Sequence, residues 1–277
     1  MKIGWTGNLI LVLLGLISTI NASVANDQLQ VKINRWIEVR RTTGQVTYSR
    51  GQTLQPARKG IRLQSVGDTI STGSGSSAEL AIDIGTGSIK VSENTKIKIS
   101  KLQTGTQGGR VTELQVTTGQ VRLQLRPLNN PASRVEIHTP AGIAGVRGTT
   151  FGVSVQDNGI TGVATQKGSV ATTAQGQTVL VNGGFQNLTI PGEPPSAPIP
   201  LQEDTRLNIS KLAANGNQVQ IIGTVDAVNL LIISQQRQNI DPNGKFDITV
   251  PLPPNRRVKA VVVTPLGKQQ LYELAVP

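Results

Sequence analysis

The chain has 277 residues, with 27 Lys plus Arg against 16 Asp plus Glu, one His, no Cys, two Trp, two Tyr and three Phe. The lack of cysteine excludes disulfides, a thiolate nucleophile and Cys-ligated zinc or iron–sulfur centres, and a lone histidine excludes multi-histidine metal sites and leaves a Ser/His/Asp triad unsupported. A net charge of +11 favours anionic partners such as polysaccharide or lipid headgroups, and the length suffices for one large or two ordinary domains.

Residues 1–25 combine Lys2, an apolar run beginning at Leu9 and small residues at Ser23 and Ala25. This pattern predicts a secretory signal peptide cut after Ala25, because the run is short of the roughly 20 apolar residues a membrane span needs. The expected location is exported, either periplasmic or secreted. Nucleic acid is then not an expected partner despite the basic charge, and the membrane is one only if the segment stays uncleaved.

From Val31 to Ile190 the sequence alternates apolar and polar residues in short runs, as in Ala78-Glu79-Leu80-Ala81-Ile82, Lys96-Ile97-Lys98-Ile99 and Val121-Arg122-Leu123-Gln124-Leu125. Period-2 alternation broken by Gly, Ser, Thr and Asn at about ten-residue intervals predicts an all-β fold. Few aromatic rings and thin Val/Ile/Leu layers favour stacked coils, so residues 31–190 are expected to form a β-solenoid-like domain. Residues 191–201, rich in proline, read as an extended linker. Residues 202–277 hold about five further strand patterns and the turn Asp241-Pro242-Asn243-Gly244, which predict a small Ig-like β-sandwich.

The charge is banded. Residues 31–63 hold eight basic side chains and one acid, Glu38, with aromatic rings among them. Arg35, Trp36, Arg40, Arg41, Tyr48 and Arg50 are therefore the candidate binding residues, suited by charge and cation–π stacking to an anionic glycan or the acidic face of a partner. The alternative is a charged, solvated strand edge. His138 alternates in phase with Glu136 and lacks an evident acid partner in a cleft, while Asp68, Glu79 and Asp83 are scattered along the chain. No catalytic residue, cofactor ligand or metal ligand is assigned, and no cofactor is expected. Gly142 to Gly148 is glycine-rich, but the residues after it alternate like a strand, so no helix N-terminus is available for a phosphate. These glycines suit a tight corner, where Arg147 can donate to several carbonyls.

Three blocks carry a family resemblance. Val135 to Val155 contains Thr139, Pro140, Ala144, Val146, Arg147, Gly148, Thr149 and Phe151 in the spacing T-P-x-x-x-A-x-V-R-G-T-x-F. Upstream is Gly67-Asp68-Thr69-Ile70-Ser71-Thr72-Gly73, and downstream Val163-Ala164-Thr165-Gln166-Lys167-Gly168-Ser169-Val170. Together they resemble the FecR domain over roughly residues 37–187. The resemblance implies a non-enzymatic β-solenoid-like periplasmic domain, with the eight signature residues in structural roles. Well-known members relay a signal across the envelope to a cytoplasmic sigma factor through one transmembrane helix; this chain departs from that layout at its N-terminus and resembles stand-alone exported members. A cell-envelope scaffold or sensory binding module is the leading expectation, with an envelope protein or anionic cell-wall polymer as partner. A membrane-tethered sigma-relay regulator and a carbohydrate-active hydrolase are the alternatives.

Overall fold

The computed structural model describes Met1, residues 35–105 and residues 107–277, so the signal segment expected over residues 1–25 lies, beyond Met1, outside the described residues. The fold is all-β, and among the described residues there is no helix.

Successive strands and hairpins are dealt alternately into two sheets. Strand β1 (Ile37–Thr43) belongs to sheet 1, the hairpin β2 (Val46–Arg50) and β3 (Thr53–Pro56) to sheet 2, β4 (Arg62–Leu63) to sheet 1 and β5 (Thr69–Thr72) to sheet 2. The hairpin β6 (Ser77–Ile82) and β7 (Gly87–Val91) returns to sheet 1, and β8 (Lys96–Thr104) joins sheet 2. Strand β9 (Arg110–Leu125) serves both sheets. The hairpin β10 (Arg134–His138) and β11 (Ile143–Val146) lies in sheet 2, β12 (Thr150–Val155) and β13 (Thr161–Lys167) in sheet 1, β14 (Ser169–Ala174) and β15 (Gln177–Asn182) in sheet 2, and β16 (Phe185–Thr189) and β17 (Ile199–Pro200) in sheet 1. Neighbours are antiparallel except β9 and β10, which run parallel.

The alternation seen in the sequence becomes the inside and outside of these layers. Leu80, Ile82, Ile89, Val91, Leu123 and Phe151 of sheet 1 share one buried cluster with Ile70, Ile97, Ile99, Leu114, Val116 and Ile137 of sheet 2. Strand β9 joins the layers. Val111 to Thr118 pairs with β8, whereas Gly119 to Leu125 pairs with β7 and β12. At the changeover Gly119 has φ +97, and a Cβ there would stand 2.2 Å from Thr95 Oγ1. Only glycine fits both constraints.

The proline-rich segment is extended, as its composition requires, and is lashed to β16. Ser196 N donates to Leu188 O at 2.9 Å, Leu201 N donates to Gly184 O at 2.8 Å, and Ile199–Pro200 pairs with Phe185 and Gln186. Proline at this outermost strand closes the sheet edge to further pairing.

The C-terminal part has its own core. Strands β18 (Asn208–Asn215), β19 (Gln218–Thr224) and β22 (Lys245–Pro251) form sheet 3; β20 (Leu230–Ile233), β21 (Gln236–Gln238), β23 (Arg257–Val263) and β24 (Gln269–Ala275) form sheet 4. Val219, Ile221, Leu231, Ile233, Val258 and Val262 fill the space between them. Leu230, Ile232 and Val263 point the other way and are nonetheless buried. Their cover is the outer face of β12 and β13, where Gly152, Ser154, Gly162 and Ala164 are buried as well. Backbone carbonyls of the sandwich are seated directly on that face: Ser154 Oγ donates to Val228 O, Gln120 Nε2 donates to Pro265 O at 2.7 Å and Gln156 Nε2 donates to Ala227 O at 3.2 Å. Residues 34–277 thus hold two cores in one compact unit.

A Cβ on Gly152 would lie 1.9 Å from Pro265 O, and one on Gly162 would lie 2.6 Å from Val228 O. Gly152→Val should therefore lift the sandwich off sheet 1 and cost about 1–3 kcal/mol from overpacking. The expected signs are a lower melting temperature and new proteolytic cleavage between residues 190 and 207. An unchanged melt and digestion pattern would show that the contact carries no stability.

Candidate functional site

The six candidate residues of the basic band do not form one surface. Arg35 is 6 % exposed and lies two residues before β1. Its Nε and Nη2 donate to Asp83 Oδ2 at 3.0 and 2.7 Å, Nη2 also to Thr112 Oγ1 at 2.7 Å, and Nη1 to Val111 O at 2.6 Å and Gln103 O at 3.0 Å. These contacts use the full donor fork of the guanidinium. Asp83 also accepts from Trp36 N, at 3.2 Å, from a turn in which its own φ is +46. Arg35 is a structural clamp and not a ligand contact, because a buried guanidinium must be fully paired.

Tyr48 likewise points inward, at 5 % exposure. Its neighbour Arg50 reaches round to Asp68, with Nε to Oδ1 at 2.9 Å and Nη2 to Oδ2 at 2.7 Å, while the amides of Gln64 and Ser65 donate to Oδ2 at 2.8 and 3.1 Å. Burial works to raise the Asp68 pKa, but the Arg50 hydrogen bonds and the two amides outweigh it and hold the carboxyl below its usual value of 3.8. Burial, and then the Asp68 charge, push the Tyr48 hydroxyl up.

Trp36 and Arg40 do come together, through Glu38 and Arg62 of the same basic band. Arg62 stacks on the Trp36 ring at 4.3 Å and donates from Nε to Glu38 Oε2 at 3.0 Å; Arg40 reaches Glu38 Oε1 at 2.8 Å. Arg41 is separated from this group by a bulge after Val39 and lines a different part of the sheet. Strand pairing brought Arg62 to Glu38, and that register is not visible in a single sequence.

The eight signature residues occupy one corner of the fold. Thr139 N donates to Gly142 O at 2.8 Å, and its Oγ1 accepts from Gly142 N at 3.2 Å, closing the turn that Pro140 opens. Ala144, Val146 and Phe151 are core residues. Thr149 Oγ1 ties the next turn to Ser169 O at 3.0 Å, and Gly148 has φ +129 with its Cβ position only 2.5 Å from Pro127 Cα. Arg147 is exposed and donates to one carbonyl, Asn130 O, at 3.3 Å, rather than to several. Corner stapling falls to the threonines, because the Arg147 side chain leaves the sheet on its outer side.

His138 does find acidic neighbours. Its Nε2 is 3.1 Å from Glu136 Oε2, and Glu113 approaches from β9 across the parallel pair, so that the three ligand atoms lie within 4.8 Å of one another. Arg134 already takes Glu136 at 2.6 Å and Glu113 at 3.4 Å, and Lys101 takes Glu113 at 3.4 Å. Internal cations thus neutralise both carboxylates. A hollow of about 250 Å³ lies elsewhere, on the outer face of sheet 1, lined by Arg41, Thr43, Ser77, Glu79, Lys90 and Ser92. Lys90 had no distinguishing mark in the sequence beyond its outward phase.

Residues 68–171 match the model of the FecR protein family. No curated protein matches. Two crystal structures of a provisionally assigned anti-sigma factor from Parabacteroides distasonis ATCC 8503 are similar at 11 % identity and TM-score 0.38, and at 13 % identity and TM-score 0.37. Each comparison covers 48 % of this chain and 59 % of that one, so this chain spans a little over half the length of those structures.

Two ion pairs yield opposite tests. Arg35→Ala strands the buried Asp83 carboxylate and should cost about 3–5 kcal/mol in denaturant unfolding, with part of the loss recovered when Asp83 is also replaced by Leu; a cost below about 1 kcal/mol would disprove the clamp. Asp68 has a depressed folded-state pKa, so its contribution is complete above the unfolded value of 3.8 and disappears as pH falls through the folded value. Asp68→Asn should therefore destabilise the protein at pH 7 and narrow its gap to wild type below about pH 4; a constant gap from pH 7 to pH 2 would contradict this linkage.

Proposed function

With a FecR domain at residues 68–171, this chain, we propose, is an exported, non-enzymatic binding module of the cell envelope, acting as a scaffold or sensor. The observation that carries the reading is how its charged groups are used. Arg35 with Asp83, Arg50 with Asp68, and the Glu113, Arg134, Glu136 and His138 cluster are each satisfied within the fold. A catalytic acid or base has to be positioned against a substrate cleft; these pairs instead pin strands and turns. Among the described residues, Arg41, Lys90 and Arg122 of sheet 1 have no carboxylate within 4.0 Å, and a sheet bearing them suits recognition of an anionic envelope component.

Export rests on the signal-like pattern of residues 1–25. The full chain, expressed in a bacterial host and fractionated, should be recovered outside the cytoplasm with its N-terminus at Asn26. It should also retain an envelope protein or wall polymer at low salt and release it at high salt. A chain held in the membrane with residues 1–25 intact would favour a tethered regulator, and a cytoplasmic chain would refute the proposal.

A further inference from the structure

The outer face of sheet 1 has two unlike halves. Over β12 and β13 it lies under the sandwich; over β1, β6 and β7 it is open among the described residues, with Arg41 and Lys90 exposed and Glu79 half-buried. Strand register draws one transverse row across this open half. Arg41 faces Glu79, Glu79 faces Lys90 and Lys90 faces Arg122. Three cations and one carboxylate therefore stand on successive strands, about 4.8 Å apart. Two residues along, Thr43 faces Ser77, and Ser92 lines the same hollow. At its far end Ser92 Oγ meets Gln120 Oε1, and the Gln120 amide is anchored to Pro265 O at 2.7 Å, so the sandwich closes the row on that side.

Glu79, facing both Arg41 and Lys90, is a single carboxylate against three cations and cannot balance them. Among the described residues no carboxylate lies within 4.0 Å of Arg41, Lys90 or Arg122; Arg122 donates only to the neutral Gln166 Oε1, at 2.9 Å. Glu93, the next acid along, is occupied by the Gly75 amide at 2.7 Å. The row therefore keeps a net positive charge with hydroxyls set beside it.

We propose that this open half-face binds an acidic polysaccharide of alternating charged and neutral sugars, whose carboxylates meet Arg41 and Lys90 on either side of Glu79, with Arg122 adding positive charge beside them, and whose hydroxyls donate to Glu79 and exchange hydrogen bonds with Thr43, Ser77 and Ser92. The inference rests on the reading of the chain as an exported binding module and gives that module a site and a ligand class. Glu79 selects the class. Set among the cations, it repels a ligand charged at every position, such as polyphosphate, but it accepts from a sugar hydroxyl. The strand-to-strand step is comparable with the rise of one sugar unit, which suits a chain laid across the strands.

Calorimetric titration of the full mature chain at low salt with hyaluronan oligosaccharides, in which charged and neutral sugars alternate, tests this. Arg41→Gln with Lys90→Gln should weaken binding at least about tenfold, whereas the charge-matched Arg58→Gln with Lys59→Gln, both exposed on another loop, should change it less than about twofold. Melting curves confirm that both variants are folded. Equal losses in the two pairs, binding of polyphosphate or poly-glutamate as tight as that of the glycan, or no binding by the folded wild type would each overturn the proposal. The N-terminus of the chain recovered from cells separates the two levels. An uncut cytoplasmic chain refutes export without touching the groove, and an Asn26 start with a failed titration refutes the groove alone.

Discussion

Both layers of the N-terminal part of this fold depend on one strand satisfying two sheets. Strand β9 gives its first half to β8 and β10 and its second half to β7 and β12. A buried backbone cannot leave its N–H and C=O groups unpaired, so a strand that changes sheets must do so within a residue or two. Gly119 makes the change possible, and Thr95 fills the space its missing side chain leaves, receiving the Gln120 amide on Oγ1 at 3.0 Å. With the two halves of β9 fixed, the hairpins on either side have only one way to continue each sheet. The shared Val/Ile/Leu cluster follows from that placement.

The same backbone logic explains how the second core attaches. The sandwich meets sheet 1 largely through main-chain carbonyls, at Pro265, Val228 and Ala227, and it meets residues with little or no side chain, Gly152, Ser154 and Gly162. Close approach of backbone to backbone excludes water and leaves little slack. Arg237 adds a polar clasp at the margin, reaching Asn94 O and Asp157 Oδ1, the latter at 2.9 Å. A rigid pair results, and the uncovered half of the sheet stands beside a fixed wall.

Much of this was legible in the residues. The period-2 runs gave the strands and their inward faces, and Leu80, Ile82, Ile97 and Ile99 are buried where the alternation put them. The T-P-x-x-x-A-x-V-R-G-T-x-F block located the corner that Thr139 and Thr149 hold together. The site was far less legible, for a physical reason. Arg35 and Arg41 are alike as residue types in one basic band, yet one is enclosed by five hydrogen bonds and the other stands on an open face. Their difference is set by Asp83, Val111 and Thr112, which lie 48 to 77 positions away in the chain. Local periodicity shows which face a residue is on but not which strand lies beside it. For that reason Lys90 and Arg122, directly opposite each other, could not be paired from the sequence.

The attachment of the sandwich also sets an order of events. Gln120 and Pro265 are 145 positions apart, and contacts of such separation form late because the long loop between them must close first. A chain made from its N-terminus completes β12 and β13 well before residue 265 is available. In that interval the flat, glycine-lined face is bare, and any segment able to lie against backbone can occupy it. The extended, proline-bearing stretch lashed along β16 shortens this wait, since it fixes where the remainder of the chain departs and keeps the sandwich close to its seat. The path of the chain thus acts as a tether that favours the intramolecular partner over foreign ones.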